Sequence, residues 1–277
     1  MGKKTQAKWI YYNHALVPNV APHETIEIPK FNKKFWKKRE EGYPLLAQWI
    51  TDFDCDLETQ FWYIIRTDPY ETEKLSKSTR KHIRQALKKC YVREIEDNEV
   101  GKMYSCYRAA YKRYKKADNF RSYESIKEEF FNRKEKNMFY YGAFELETNC
   151  LIGFFICTCH KDYFEINMSK FNPEFMALRP SDALHDYVLK LWMNKPEIKY
   201  VSSGSRSLNH ETNVQEYKIN TFGFHKAYCK LHIQYRPCIY PIVKVLYEFR
   251  HLLKKLDEYK PIHAINTVLR MEEISRK

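Results

Sequence analysis

Apolar positions along the chain change period several times, and each change marks an element. From Leu75, the residues Leu75, Thr79, Ile83, Ala86, Leu87 and Cys90 recur at helical spacing, predicting a helix with one buried face. A strand is predicted at Tyr91 to Ile95, then helices at about Lys102 to Lys116 and Tyr123 to Lys136. In the first of these Tyr104, Tyr107, Tyr111 and Tyr114 recur at steps of three and four, a stripe that reads as core or groove lining. Three strands follow in quick succession, Phe139 to Leu146, Leu151 to Cys159 and Tyr163 to Ser169. Their links, Glu147-Thr148-Asn149 and His160-Lys161-Asp162, have the length and polarity of hairpin turns. Arg179-Pro180-Ser181 then breaks the pattern and launches a helix over Asp182 to Trp192. A short strand at Tyr200 to Ser203 leads through a polar loop to a helix at about Glu211 to Asn220. A cleanly alternating strand, His225 to Tyr235, completes the run. It sets His225, Ala227, Cys229, Leu231, Ile233 and Tyr235 on one face and Lys226, Tyr228, Lys230, His232 and Gln234 on the other.

This order predicts an α/β fold, a mixed central sheet with helices on both faces. Upstream, Leu45 to Thr51 and Gln60 to Arg66 read as two strands around Asp52-Phe53-Asp54-Cys55-Asp56, giving an N-terminal β-hairpin extension. Downstream, Ile242, Val245, Leu246, Phe249, Leu252, Leu253 and Leu256 keep helical spacing, and Pro261 opens a second helix with Ile262, Ile265, Val268 and Leu269. This C-terminal helical hairpin docks either on its own domain or on a partner subunit, the second making a homodimer. The expected organisation is an extension over residues 1–70, a catalytic-size domain over 71–237 and a helical tail over 238–277.

Composition narrows the classes. A chain of 277 residues can bury a sizeable core, and 22 Tyr with 17 Phe set it apart from disordered sequences. With 7 Gly there is little room for glycine-built phosphate loops. No apolar run nears the roughly 20 residues of a membrane helix, and Met1 to Ile10 has no signal-peptide core, so the expected location is the cytoplasm. The eight Cys are scattered without metal-ligand spacing. They read as buried thiols, with Cys157 and Cys159 on one side of a strand and no metal site expected.

Net charge is +13, from 48 Lys and Arg against 35 Asp and Glu, a field that attracts polyanions, acidic substrates or anionic surfaces. Lys33, Lys34, Lys37, Lys38 and Arg39 form one cluster. Lys74, Lys77, Arg80, Lys81, Arg84, Lys88 and Lys89 load the helix that begins near Leu75. That basic face is either a solvated surface or a track for a phosphate-bearing donor, with Arg80, Lys81 and Arg84 as the polyanion contacts.

Three segments carry a resemblance to a known family. Leu75-Ser76-Lys77-Ser78-Thr79-Arg80-Lys81-His82-Ile83-Arg84-Gln85-Ala86-Leu87-Lys88 resembles the opening of the FemAB-like branch of the GNAT acyltransferase superfamily. Arg179-Pro180-Ser181-Asp182-Ala183-Leu184 and Glu216-Tyr217-Lys218-Ile219-Asn220-Thr221-Phe222-Gly223-Phe224 resemble that branch's later signatures. The similarity covers roughly Leu75 to Arg236. It implies transfer of an acyl or aminoacyl group to an amine, with acyl-CoA or aminoacyl-tRNA as co-substrate and no tightly bound cofactor. The acceptor would be a small molecule, an amino sugar or a peptide, and tRNA would be a partner if it is the donor. GNAT enzymes hold the donor pyrophosphate on a Gly-rich turn after the fourth strand. Here Lys170 to Ser181 contains no glycine, which shifts weight toward tRNA donors or toward a lost activity. The competing class is a non-catalytic protein of the same fold that binds a polyanion through its basic helix.

The resemblance also nominates site residues. Glu165, mid-strand with Tyr163 and Asn167 on its side, stands where the fold often places a base acting through water; the alternative is an exposed strand Glu. Tyr217 stands where the phenol that protonates the leaving group is often found; the alternative is a packed helix Tyr. Asn167, Arg179, Ser181 and Asp182 would meet the donor. Ser203, Arg206, Asn209, His210 and Glu211 would position the acceptor, although Asn209 or His210 also suits a helix cap, with Glu211 in the first turn.

Overall fold

The structure, a computed structural model, describes residues 4–112, 120–208 and 213–277. The strands are β1 Trp9–Tyr12, β2 Ala15–Pro18, β3 Leu46–Cys55, β4 Phe61–Arg66, β5 Cys90–Glu94, β6 Met138–Glu145, β7 Leu151–Cys159, β8 Phe164–Phe171, β9 Val201–Ser205 and β10 His225–Tyr235. The helices are α1 Lys77–Leu87, α2 Val100–Tyr111, α3 Tyr123–Phe131, α4 Pro180–Trp192, α5 Val214–Phe222, α6 Tyr240–Glu248, α7 Arg250–Lys254 and α8 Lys260–Ser275. They fall into two compact units interleaved in sequence: residues 4–63, 205–208 and 226–277, and residues 64–112, 120–204 and 213–225.

The second unit holds a mixed sheet in the order β4-β9-β8-β7-β6-β5, with β4 entering from Ile64. β5 to β8 form an antiparallel meander, and β8 meets β9 in parallel. Alternation along β6 and β7 decides which helices cover which face. Tyr140, Phe144, Phe154 and Ile156 point to one side. There they pack with Val100, Met103, Cys106 and Tyr107 of α2 and Ile126 and Phe130 of α3. The side chains of opposite parity meet α4. Phe139 lies 4.9 Å from the Trp192 ring, Phe164 stacks on that ring at 4.1 Å, and Trp192 Nε1 donates to Tyr141 Oη at 3.0 Å. Each fully buried aromatic here contributes about 1.5–3 kcal/mol, so helices are held on both faces. The tyrosine stripe of α2 is core, as Tyr107 shows at 1% exposure; Tyr114 lies outside the described residues.

α1 starts where Ser76 Oγ accepts from the Thr79 amide at 3.1 Å. It buries Thr79, Ile83 and Ala86 and packs on α4, leaving Lys81 and Arg84 exposed and Arg80 half-buried. α5 ends at Gly223, whose φ of 66° is left-handed. Arg66, 8% exposed, reaches across to donate from Nη1 to the Phe222 carbonyl at 2.6 Å, and a Cβ on Gly223 would come within 2.3 Å of that same Nη1. Gly223→Ala is therefore expected to destabilise this unit by at least the 1–2 kcal/mol of a left-handed Ala. A urea titration that returns an unchanged midpoint would refute that reading of the helix end.

Of the ten-stranded order, the first unit holds β1-β2-β3-β10-β4, with β4 contributing Phe61–Tyr63. β1 and β2 form an N-terminal hairpin around Asn13 and His14, whose φ values of 46° and 64° suit a two-residue turn. β10 pairs antiparallel with β3 and separates β3 from β4 in the sheet order. β3 also runs on through Asp52–Cys55 rather than stopping at Thr51, and the pairing absorbs the irregularity as a register shift between Tyr228 and Lys230. The C-terminal helices close one apolar cluster of this unit, in which Val243 and Leu269 meet Ala15, Leu46 and Tyr235.

Candidate active site where two strands part

β8 and β9 are joined only at Phe164↔Val201 and Glu165↔Ser202. β8 continues to Phe171 and β9 to Ser205, so past Glu165 the two parallel strands separate within the second unit. The β7–β8 pairing shifts at the same level: Cys157 faces Ile166 and Ile156 faces Met168, leaving Asn167 as the extra residue of a bulge. Simple alternation puts Asn167 beside Glu165. The bulge instead gives that side to Met168, which packs on the α2–α3 cluster. Asn167 is exposed, and its Oδ1 accepts from Thr158 Oγ1 at 2.8 Å. Glu165 is partly buried, with His160 Nε2 3.4 Å from its Oε2.

The start of α4 supplies a second group of residues. Arg179 takes a left-handed conformation, φ 58° and ψ 46°, and Pro180 begins the helix. Pro180 has no N–H, and the Asp182 and Ala183 amides turn back to the Arg179 carbonyl at 3.0 and 3.4 Å. This helix start therefore offers few donors to a phosphate. Asp182 is buried, with Arg179 Nη1 3.7 Å away, and its Oδ1 accepts from Tyr217 Oη at 2.5 Å. Burial first, then the charge and acceptance of Asp182, raises the Tyr217 pKa well above the usual phenol value. Tyr217 holds its proton tightly and directs it at a carboxylate.

Two residues that the sequence reading passed over occupy the centre. Lys218 is 4% exposed, and its Nζ donates to Ser203 Oγ. Burial lowers its pKa to about 8, and among the described residues no carboxylate pairs with it. Cys157, a fully buried thiol, has its pKa raised by desolvation while the Lys218 charge works the other way. His185 is 1% exposed, stacked at 4.7 Å on Phe222 and edge-on to Phe155 at 4.8 Å. Its Nδ1–H donates to the Ser181 carbonyl at 2.8 Å, so the bare Nε2 is left as a buried acceptor with no hydrogen-bond partner among the described residues. Burial, and then Lys218, lowers its pKa to about 3, keeping the ring neutral. A signal for both was present. Lys218 sits four residues before Phe222 in the segment that resembles the family, and His185 lies one turn after Ser181 among Leu184, Val188 and Leu189.

The other nominated residues divide. Ser203 joins the cluster through Lys218. Arg206 belongs to the first unit, where its Nη1 donates to the Gln60 carbonyl at 2.5 Å and its guanidinium lies 4.5 Å over the Trp62 ring. Asn209, His210 and Glu211 lie outside the described residues. No helix among the described residues is long and apolar enough to cross a membrane.

Among solved structures, the chain is similar to FemX, with 7% identity, a TM-score of 0.51, and coverage of 68% of this chain and 64% of that one. It is also similar to L-PGS from Bacillus licheniformis, with 12% identity, a TM-score of 0.49, and coverage of 98% and 86%. A conserved protein of unknown function from Bacteroides thetaiotaomicron VPI-5482 matches at 8% identity and a TM-score of 0.47, over 68% of this chain and 62% of that one. No protein-family model matches the chain, and no curated protein matches it. At this identity the likeness to FemX is one of fold, a mixed sheet with helices on both faces.

Proposed function

We propose that this chain transfers an acyl or aminoacyl group from an activated carbonyl donor, acyl-CoA or aminoacyl-tRNA, to an amine. The observation that carries the reading is Lys218, a buried ammonium without a counter-anion among the described residues, beside Ser203 where β8 and β9 part. A buried cation is costly unless an anion meets it. In acyl transfer the anion appears during the reaction, as the carbonyl oxygen of the tetrahedral intermediate. A fixed cation aimed there stabilises charge that the ground state lacks.

The remaining steps follow from the neighbours. The acceptor amine forms its C–N bond to the carbonyl and passes a proton through water to Glu165. The C–S or C–O bond to the donor then breaks, and the leaving oxygen or sulfur takes a proton. Tyr217 is the candidate acid. Arg179, Ser181 and Asn167 are assigned to the donor, with Asp182 acting through Tyr217. The acceptor is an amine such as an amino sugar, a peptide or a small amine.

Thermal unfolding with coenzyme A, acetyl-CoA and deacylated tRNA, each at low and moderate salt, tests donor binding. A ligand at 100 times its Kd stabilises by about 2.7 kcal/mol, a shift of several degrees. Absence of any shift with all three sinks the proposal.

A second reading, polyanion binding through α1, draws on Arg80, Lys81 and Arg84, which make no ion pair among the described residues. Neutralising all three to Gln is expected to weaken RNA binding and reduce its salt slope by up to about three units. Tyr217→Phe is expected to leave that binding unchanged while lowering turnover. The opposite pattern, RNA binding lost with Tyr217→Phe alone, would contradict this division of labour.

A further inference from the structure

A cleft of about 150 Å³ lies within the first unit, between the start of β4, the segment after β9 and the last turns of α8. Arg270, Glu273 and Lys277 line it from one side, at steps of three and four that share a helix face. Gln60, Arg206 and Leu208 line it from the other. Two guanidiniums are fixed there by neutral groups. Arg206 Nη1 donates to the Gln60 carbonyl, its amide donates to the Trp62 carbonyl at 2.8 Å, and its guanidinium rests on the Trp62 ring. Arg270 Nη1 donates to the Leu208 carbonyl at 3.0 Å. Each of these side-chain bonds uses one of the five N–H groups of a guanidinium and neutralises none of its charge. Both side chains are half-buried, so salt screens them less than it screens a surface lysine.

The carboxylates nearby are engaged elsewhere. Glu273 lies 3.5 Å from Lys277, and the two offset one another. Asp257 interacts with Arg270 through its charge alone. Its oxygens accept from Asn266 at 2.7 Å and lie 2.9 Å from His263. Among the described residues, neither Arg206 nor Arg270 meets a carboxylate, so the cleft holds both of their charges uncompensated.

We propose that this cleft binds a phosphate monoester group, whose oxygens accept from the Arg206 and Arg270 guanidiniums. Planar N–H forks match phosphate oxygens in geometry as well as in charge. Two fixed cations match a monoester, which carries nearly two negative charges at neutral pH, better than they match a carboxylate or a phosphodiester. The volume is that of about five waters at about 30 Å³ each, room for one phosphate head whose carrier lies outside. A soluble phosphate ester and the headgroup of phosphatidic acid offer the same chemistry. The inference is independent of the reaction proposed above.

Isothermal titration calorimetry of the full chain with glycerol 3-phosphate and with inorganic phosphate, at about 50 mM chloride, tests it. One saturable site with a Kd of about 0.1–1 mM is expected. Arg270→Gln is expected to raise that Kd by about tenfold or more, the usual loss of a hydrogen bond to a charged group. Lys33→Gln removes the same charge outside the cleft and should change the Kd by less than about twofold. In the wild-type chain sulfate should displace the ester and acetate at the same concentration should not, a result that no variant's folding can affect. Absence of saturable binding up to about 10 mM, equal weakening by Lys33→Gln and Arg270→Gln, or displacement by acetate overturns the proposal. Vesicles of phosphatidylcholine with phosphatidic acid separate the two sources of the group. Flotation that Arg270→Gln abolishes assigns the cleft to the headgroup, and no flotation assigns it to a soluble ester. Flotation without any binding of the soluble esters overturns the proposal.

Discussion

Lys218→Met is expected to lower turnover by on the order of 10²–10³-fold, the usual loss when one donor to a developing oxyanion is removed. The measurement is release of free thiol from acyl-CoA, or of free tRNA from aminoacyl-tRNA, at saturating amine. Methionine keeps about the length and apolar stem of lysine and removes the charge together with the hydrogen bond to Ser203. The loss should fall on kcat more than on KM, because the ammonium meets its anion only in the transition state. Wild-type activity should also decline above pH about 8, where Lys218 gives up its proton. A variant that retains full turnover, or a rate indifferent to pH between 7 and 10, would remove Lys218 from the mechanism.

The same substitution is expected to act on stability in the opposite direction. The folded-state pKa of about 8 lies below the ordinary value of 10.5. Below pH 8 Lys218 is charged in both folded and unfolded chains, and the fold carries the full cost of burying it, about 3 kcal/mol. Between pH 8 and 10.5 the unfolded chain binds a proton that the native state has released, so wild-type stability rises with pH across that window. Lys218→Met lacks this contribution. The variant should therefore be more stable by about 3 kcal/mol at pH 7, and the gap should close toward pH 10.5. Comparing the two proteins by urea denaturation at several pH values cancels the groups they share, including the buried tyrosines. A gap that stays constant with pH would mean that Lys218 has water or an anion beside it. A residue whose removal strengthens the fold and stops the reaction is one kept for function.

Most elements were legible because their signals are local. The meander of β6, β7 and β8 followed from alternation and two polar links, and α4 followed from Arg179-Pro180-Ser181 and the apolar spacing behind it. The N-terminal hairpin was expected from Leu45–Thr51 and Gln60–Arg66, but β10 separates those two strands; the hairpin that forms is β1 with β2, unexpected because Trp9–Tyr12 and Ala15–Pro18 are four residues each and too short to show a period. β10 was read as a strand from its alternation. Its place between β3 and β4 was not readable, because nothing in eleven residues states which strand will supply the partner carbonyls.

For the candidate site the division is sharper. Tyr217, Asp182 and Ser203 were nominated through a family resemblance, and the structure brings Tyr217 onto Asp182 and Ser203 onto Lys218. Lys218 and His185 were passed over because lysine on a helix is ordinarily solvated and histidine on an apolar face is ordinarily packing. Their chemistry comes from burial, and burial of Lys218 is set by Cys157 and Ser203, residues distant in the chain. Periodicity, turn chemistry and net charge are properties of neighbouring residues, and the sequence alone determines them: the elements, their order and a basic helix α1. Which strands part, where Asn167 is squeezed into a bulge, and whether an ammonium meets water or a dry cleft depend on long-range packing. Those features, on which the proposed reaction rests, were decided only by the tertiary structure.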